Sequence, residues 1–267
     1  MFKALLSKRK KSDWGWSGDY PSWDAVSALS GGYDQDVILD RVGSALMKVK
    51  MGEAVYERDS ALFDEPEIPY SILGYILASA ATSGRALHIL DFGGSLGSSY
   101  FQLRRYLPEA TCASWNVVEQ PHFVAVGKRD FEDERLKFFN SIEECLSCTV
   151  VDLVLLSSVV QYLQHPHEFL DRLAGYGFPF LLFDRTAVHH VKRDRLTLQV
   201  VPPSIYEATY PAWFLNQERF LAHFFSQYTL IAEFPSYVQG EENLLIDGKP
   251  QGYGKGFYLV NSSNPLS

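Results

Sequence analysis

The chain has 267 residues, a formal net charge of −8 and a sequence pI of about 5.4. That acidic balance excludes a general nucleic-acid binder, which presents a basic face. No apolar run approaches the roughly 20 residues of a membrane helix. With 46% apolar residues there is ample core material, and the length fits one large domain or one domain with a substantial insertion.

Residues Met1–Lys11 are basic and lack the apolar stretch and cleavage site of a signal peptide. They read as a solvated tail, with contact to an anionic membrane surface as the weaker alternative. Trp14, Trp16, Tyr20 and Trp23 then fall within ten residues. So much aromatic surface must pack on something or cover a site. Val37, Ile38, Val42, Ala45, Leu46 and Val49 predict a helix over about 36–50. The polar segment Tyr56–Ser60 follows. Residues 1–66 are expected to form a helical and aromatic extension, as a cap on the sheet, a lid over a site, or both. The domain proper is expected over 67–267.

Residues 68–82 predict a helix with Pro69 near its start. Leu87–Asp91 is an apolar run ending in an acid. It turns through Gly93, Gly94, Ser95 and Gly97 and continues into a helical pattern that Pro108 closes. Strand, glycine turn and helix in this order predict ligand binding outside the carboxyl end of the strand. Glycines let the backbone approach a nucleoside-like cofactor, and the helix N-terminus offers free N–H groups.

Residues 114–120 read as the second strand, with Glu119 and Gln120 at its tip, Glu119 lying 22 residues beyond Gly97. An acid at that place accepts both ribose hydroxyls, because a carboxylate is acceptor-only and each hydroxyl donates. A helix is expected over 123–134 and a third strand over 136–139. Asn140 and Ser141 follow its tip, where an amide can read an adenine edge; a routine turn is the other reading. Residues 150–156 are a continuous apolar run, as for a central parallel strand buried on both faces. It leads into Ser157 and Ser158, expected to border the adenine or the reacting centre, and then into a helix begun by Pro166. Residues 178–186 form strand five, and 228–234 with 256–260 a closing pair of strands.

The stretch from about 187 to 220 interrupts this alternation. It carries His189, His190, a strand near 196–201 and an aromatic run through Tyr206, Tyr210 and Trp213. It is too aromatic for disorder and reads as a substrate-side cap before strand six. The cysteines Cys112, Cys145 and Cys148 are odd in number and accompany no secretory signal, which suggests reduced thiols and a cytoplasmic protein. Cys145 and Cys148 have C-x-x-C spacing, but no further zinc ligands stand at suitable spacing.

The dinucleotide fingerprint G-x-G-x-x-G would place Phe92 at its first glycine, a poor substitute at a tight phosphate turn. Read as acid-x-Gly-x-x-x-Gly, Asp91, Gly93 and Gly97 resemble the first motif of class I S-adenosylmethionine (SAM) methyltransferases. Further stretches match in order: Tyr20–Trp23, Gly31–Asp34, Tyr56–Ser60, Ser158–Leu163 and Tyr210–Trp213. Over nearly its full length the chain resembles a family of methyltransferases from bacterial surface-polysaccharide (O-antigen or capsule) gene clusters. The resemblance implies an α/β, Rossmann-like, seven-stranded class I sheet and SAM as cofactor. It implies methyl transfer to a small-molecule or carbohydrate-linked acceptor. Asp91, Gly93, Gly94, Ser95 and Gly97 would hold the methionine end, and Glu119 with Gln120 the ribose.

A sugar hydroxyl benefits from a general base. His165 after strand four, His189 after strand five and Asp184 at its tip are candidates. Each has a plainer reading, as a turn residue, a loop residue or an ion-pair partner. Tyr162, Arg185, His190, Tyr206 and Tyr210 are candidate acceptor contacts. Arg185 suits an anionic acceptor because its fork grips carboxylate or phosphate. A metal site from His165, His167, His189 and His190 matches no zinc spacing. The rival readings are an NAD-dependent oxidoreductase and a non-catalytic, SAM-binding partner protein. Neither the acceptor nor the oligomeric state is legible.

Overall fold

The structure is a computed structural model that describes residues 14–31, 36–202 and 208–263. The basic N-terminal tail, Tyr206 and part of the Gly31–Asp34 stretch lie outside the described residues.

The chain opens with strand β1 (Gly15–Ser17), helix α1 (Trp23–Ser27) and helix α2 (Asp36–Met51). A hairpin of β2 (Tyr56–Arg58) and β3 (Ala61–Phe63) follows, then α3 (Tyr70–Ser83). Strand and helix then alternate: β4 (Leu87–Phe92), α4 (Ser98–Leu103), β5 (Cys112–Val118), α5 (Pro121–Val126), β6 (Leu136–Phe139) and α6 (Ile142–Cys148). They continue through β7 (Leu153–Ser157), α7 (Pro166–Gly175) and β8 (Phe180–His189). The remainder is β9 (Arg195–Val200), β10 (Thr209–Asn216), α8 (Gln217–Ala222), β11 (Tyr228–Pro235), β12 (Leu244–Ile246) and β13 (Lys249–Asn261).

Strands β6, β5, β4, β7 and β8 pair in parallel in that spatial order. β13 joins β8 antiparallel, and β11 joins β13 antiparallel. This is a Rossmann-like mixed sheet closed by an antiparallel pair. The direction of strand succession reverses between β4 and β7, which makes their carboxyl ends the topological switch point where open α/β sheets bind ligands. Leu153–Leu156 are fully buried, as a central strand covered on both faces requires. β7 starts three residues later than the apolar run suggests, since Val150 is exposed. Asp152 ties this lower end: its carboxylate accepts from His88 N–H at 2.8 Å and pairs with Arg85.

The expected seven strands are part of a larger sheet of eleven. The 187–220 stretch supplies two strands, β9 and β10, rather than one, and the aromatic opening supplies β1. β1 pairs with β9 and with β12, β9 with β10, and β12 with β13. β10 returns to β8 through Leu215↔Val188 and Asn216↔His189. The pairings β8–β13–β12–β1–β9–β10–β8 therefore close into a six-stranded ring above the parallel sheet. Ala187, Phe214, Leu244 and Ile246 pack together inside it, with Trp16 against them. The long strands β8 and β13 run through both the ring and the parallel sheet, so the cap is continuous with the fold.

α2 lays Ile38, Leu39, Val42, Ala45, Leu46 and Val49 on one buried face. Each such apolar side chain is worth roughly 1.5–3 kcal/mol when fully buried. The helix thus packs as a wall of the domain. The helix expected at 123–134 begins earlier, with Pro121 in its first turn, and passes at Gly127 into a π turn ending at Phe131. Among the described residues, no helix is long and apolar enough to cross a membrane.

Candidate active site

The turn after β4 brings its glycines into the tightest packing of the switch point. Gly93 has φ +71, and a Cβ built on it would stand 2.4 Å from Val159 Cγ2. A Cβ on Gly94 would stand 2.5 Å from the Asp91 carboxyl. Only glycine fits either position with its neighbours in place. Ser95 holds φ +55, a conformation that costs a non-glycine residue free energy. Gly97 (φ +94) precedes the first turn of α4.

Asp91 is buried, and its Oδ2 accepts a 3.0 Å hydrogen bond from Trp115 Nε1. Burial pushes its carboxyl up to about 7, against the opposing pull of the indole N–H. Glu119, half-buried at the tip of β5, accepts from Gln120 N–H at 2.6 Å and from the Ser95 backbone. Desolvation raises its pKa as well. Two carboxylates close to the same glycine turn favour a ligand that brings donors or positive charge.

Two cavities meet here. One, of about 380 Å³, is lined by Asp91, Gly93, Gly94, Ser95, Ser157, Ser158, Tyr162, Arg185 and Tyr210. The other, of about 390 Å³, is lined by Phe92, Gly93, Glu119, Gln120, Asn140 and Ser158. Gly93, Ser158 and Tyr162 line both, so the two lie on either side of the Gly93 turn. Of the sequence-predicted cofactor residues, Gly97 and Ser141 line neither. Gly97 packs toward Leu136, and Ser141 Oγ caps α6 by accepting from Glu144 N–H at 3.0 Å.

The far wall is built by the tips of β7 and β8. The β8–β13 register shifts between Lys255 and Phe257, and Arg185 opposite has φ +49. Such a bulge bends the strand and re-aims its side chains. Ser158 (φ +55) donates its N–H to the Asp184 carbonyl at 2.9 Å, and Ser157 Oγ donates to Asp184 Oδ2 at 2.8 Å. Asp184 Oδ1 has no partner among the described residues, and burial raises the carboxyl to about 6. Asp184 lies behind Ser157, not on the cavity wall. Gln161 Nε2 donates to Ser158 Oγ at 3.1 Å and to the Arg185 carbonyl at 3.2 Å.

Arg185 departs from its expected role. Its Nε and Nη2 donate to Glu241 at 3.0 and 2.7 Å, and Nη2 reaches Asp59 at 3.3 Å. The fork expected to hold an anionic acceptor is engaged inside the protein. The histidines also fall elsewhere, and none lines either cavity. The short helical turn Val160–Tyr162 carries the chain away before His165, which borders a separate depression beside Trp213. His189 is buried on β8, where burial lowers its pKa. His190 packs against Tyr253 at 4.8 Å between ring centroids. His167 bonds His223 at 2.7 Å and Asp194 at 2.8 Å. Among the described residues no cluster of three or more histidines, cysteines or acids is placed to hold a metal ion.

Residues given no role by sequence reasoning also line the first cavity: Glu57, Asp59, Gln161, Gln199 and Glu241. Glu57 accepts from Ser98 Oγ and from Ser60 N–H at 3.0 Å, so the β2–β3 hairpin is fastened to the first turn of α4. Burial raises the Glu57 carboxyl to about 7. The only signal in the sequence was the Tyr56–Ser60 stretch itself.

No family model matches the chain, and no curated protein matches it. Solved structures with a similar backbone include the N-terminal domain of EvdMO1 in the presence of S-adenosylhomocysteine (SAH) and D-fucose. It is 12% identical over 85% of this chain and 98% of that one, with a TM-score of 0.47. Magnesium protoporphyrin IX methyltransferase (ChlM) from Synechocystis PCC 6803 with bound SAM is 11% identical over 86% and 100%, with a TM-score of 0.46. The glycopeptide N-methyltransferase MtfA complexed with SAH is 10% identical over 73% and 90%, with a TM-score of 0.47. Identity this low leaves cofactor and acceptor to be argued from the cavities themselves.

Proposed function

We propose that the chain is a SAM-dependent methyltransferase acting on a small-molecule or carbohydrate-linked acceptor. The observation that carries the reading is the pair of cavities joined over Gly93, with Asp91 on one side and Glu119 on the other. A nucleoside fits the Glu119 side. There the carboxylate accepts from ribose hydroxyls and Phe92 offers an apolar wall, while Asn140, whose amide Nδ2 donates to Glu144 Oε2 at 2.8 Å, forms part of the rim as a turn residue. On the other side Asp91, Gly94 and Ser95 would receive an amino-acid end. The closeness of the Gly94 backbone to the Asp91 carboxyl leaves room for a ligand only because no Cβ intervenes.

The cofactor supplies an electrophilic methyl group on a positively charged sulfur. The protein's part is alignment of the acceptor and exclusion of water, which can remove much of a bimolecular barrier. Ser158 stands at the junction of the cavities, where the reacting atoms would meet, and Ser157 lines the first cavity beside it. Asp184 acts through Ser157: it holds the hydroxyl by accepting its proton in a hydrogen bond, and so turns a serine lone pair toward the cavity. Asp184 is therefore a positioning residue. No histidine is assigned a part in proton removal.

Phe92 at the first glycine position of a dinucleotide turn speaks against the oxidoreductase alternative. A cytoplasmic place is part of the proposal through the three cysteines and the lack of a secretory signal in the sequence, and a role in surface-polysaccharide assembly through the family resemblance alone. The test is binding of SAH to Asp91→Ala and Glu119→Ala, with folding checked by circular dichroism. Both variants are expected to stay folded and to lose affinity at least about tenfold, a difference of 1.4 kcal/mol. Undiminished affinity in both folded variants would remove the site assignment.

A further inference from the structure

The acceptor end of the first cavity carries a charge pattern that sequence reasoning did not foresee. Among the described residues, four carboxyl groups (Glu57, Asp59, Asp91 and Glu241) and two guanidiniums (Arg58 and Arg185) line this cavity; burial raises Glu57 and Asp91 to about 7, and Asp59 and Glu241 are the two that pair with Arg185. Both cations are already committed. Arg58 pairs with Glu67 and lies over the Phe63 ring at 4.9 Å. Arg185 pairs with Glu241 through two nitrogens and with Asp59 through one of them. The Glu241 carboxylate is held in turn by Ser236 Oγ at 2.6 Å. A carboxylate or phosphate entering here would have to break the forked Arg185–Glu241 pair or face carboxylates whose cation, among the described residues, is already engaged, and like-charge contact disfavours it.

The same wall is aromatic. Trp14, Tyr162 and Tyr210 line it, with the Tyr162 and Tyr210 rings edge to face at 5.2 Å. Tyr162 OH donates to Gln199 Oε1 at 3.0 Å, which holds one edge of this surface in place. Aromatic faces attract the C–H face of a sugar and the charge of an ammonium. Ionised carboxylates accept from hydroxyl and ammonium donors and can offer nothing to an anion.

Resting on the methyltransferase reading of this cavity, we propose that it takes a sugar that is neutral or amine-bearing near the reacting atom. Glu241 and Asp59 set this selectivity by occupying the Arg185 guanidinium. The carboxylates exclude uronates and phosphorylated positions from the inner end, while a charged group further along the acceptor can remain outside. Glu241 and Asp59 come from elements 182 residues apart in the chain and converge on one cation, which makes the selectivity a property of the assembled cap.

The test uses saturation-transfer NMR on the full chain with three matched probes: the methyl glycosides of glucose, glucosamine and glucuronic acid. Each is run with and without SAH. The glucoside and glucosaminide are expected to bind, with Kd values read from signal build-up against ligand concentration, and the glucuronide to bind with a Kd about tenfold higher or more, equivalent to 1.4 kcal/mol. Glu241→Gln should release Arg185 and raise the glucuronide signal several-fold relative to the glucoside; Asp59→Asn should do so to a lesser degree. Equal or stronger binding of the glucuronide to the unmodified protein would overturn the proposal. So would an unchanged order in a folded Glu241→Gln protein, or no signal from any of the three. Failure of SAH to bind would count against the cofactor reading, and the order of the three probes in the SAH-free samples would still decide the role of Glu241.

Discussion

Trp115 Nε1 donates to Asp91 Oδ2 at 3.0 Å, joining the middle of β5 to the acid next to last in β4. Trp115 is fully buried, and among the described residues it is the side chain that donates to Asp91. Trp115→Phe keeps most of the packing and removes that donor. A buried acceptor left without its partner costs about 1–3 kcal/mol. The variant is expected to unfold at lower urea by that amount and to bind SAH more weakly, because the Asp91 carboxyl is held less firmly and ionises less readily.

Gly93→Ala tests the close approach directly. The added methyl would meet Val159 at 2.4 Å on a backbone of φ +71. It is expected to lower stability by about 1–3 kcal/mol, from overpacking and left-handed strain together. It should abolish detectable SAH binding in calorimetry. Val159→Ala in the same chain should recover part of the stability, since it removes the steric term and leaves the φ term.

Asp91 and Glu57 are both raised to about 7, from ordinary values of 3.8 and 4.5. The folded protein therefore keeps protons on them that the unfolded chain has released above about pH 4–5. Unfolding in this window releases protons, so the contribution of these groups to stability is full below it and is lost as pH rises toward 7. Urea midpoints of Asp91→Asn and Glu57→Gln, compared with the unmodified protein at pH 5 and pH 8, should show a smaller fall across that interval. Binding of a cationic ligand favours the ionised forms, so SAM affinity is expected to rise from pH 6 to pH 8, and less so in Asp91→Asn.

Asp152 provides the contrast. It lies at the opposite end of the sheet, where it accepts from His88 N–H and pairs with Arg85. Asp152→Asn is expected to cost about 1–3 kcal/mol in urea unfolding and to leave SAH affinity within twofold of the unmodified value. A large loss of SAH affinity in a folded Asp152→Asn protein would show that affinity follows general stability rather than the switch point.

The parallel half of the fold was legible because its signals are local. β4, β7 and β8 are apolar runs, and the turn after β4 is written in its own glycines. Glu119 was legible by its distance from that turn. The ring above the sheet was not. β1 and β12 have three residues each, and β1 is held as a strand by β9 and β12, about 180 and 230 residues away. Glu57 lies within the Tyr56–Ser60 stretch, which carried no specific role, and Glu241 neighbours no motif; both reach the cavity through tertiary packing. The role expected of Arg185 followed from its place at the β8 tip. Its real partners, Asp59 and Glu241, lie in elements whose approach no periodicity reports. His165 was chosen for its nearness to strand four in sequence, and a single helical turn was enough to carry it away from the cavity.

The most direct measurement is calorimetric titration of the purified protein with SAM, SAH and NAD. Micromolar binding of SAM and SAH with none of NAD is the predicted result. NAD binding, or the absence of binding by both SAM and SAH to the folded protein, would contradict the assignment of the Asp91–Glu119 cavities to this cofactor.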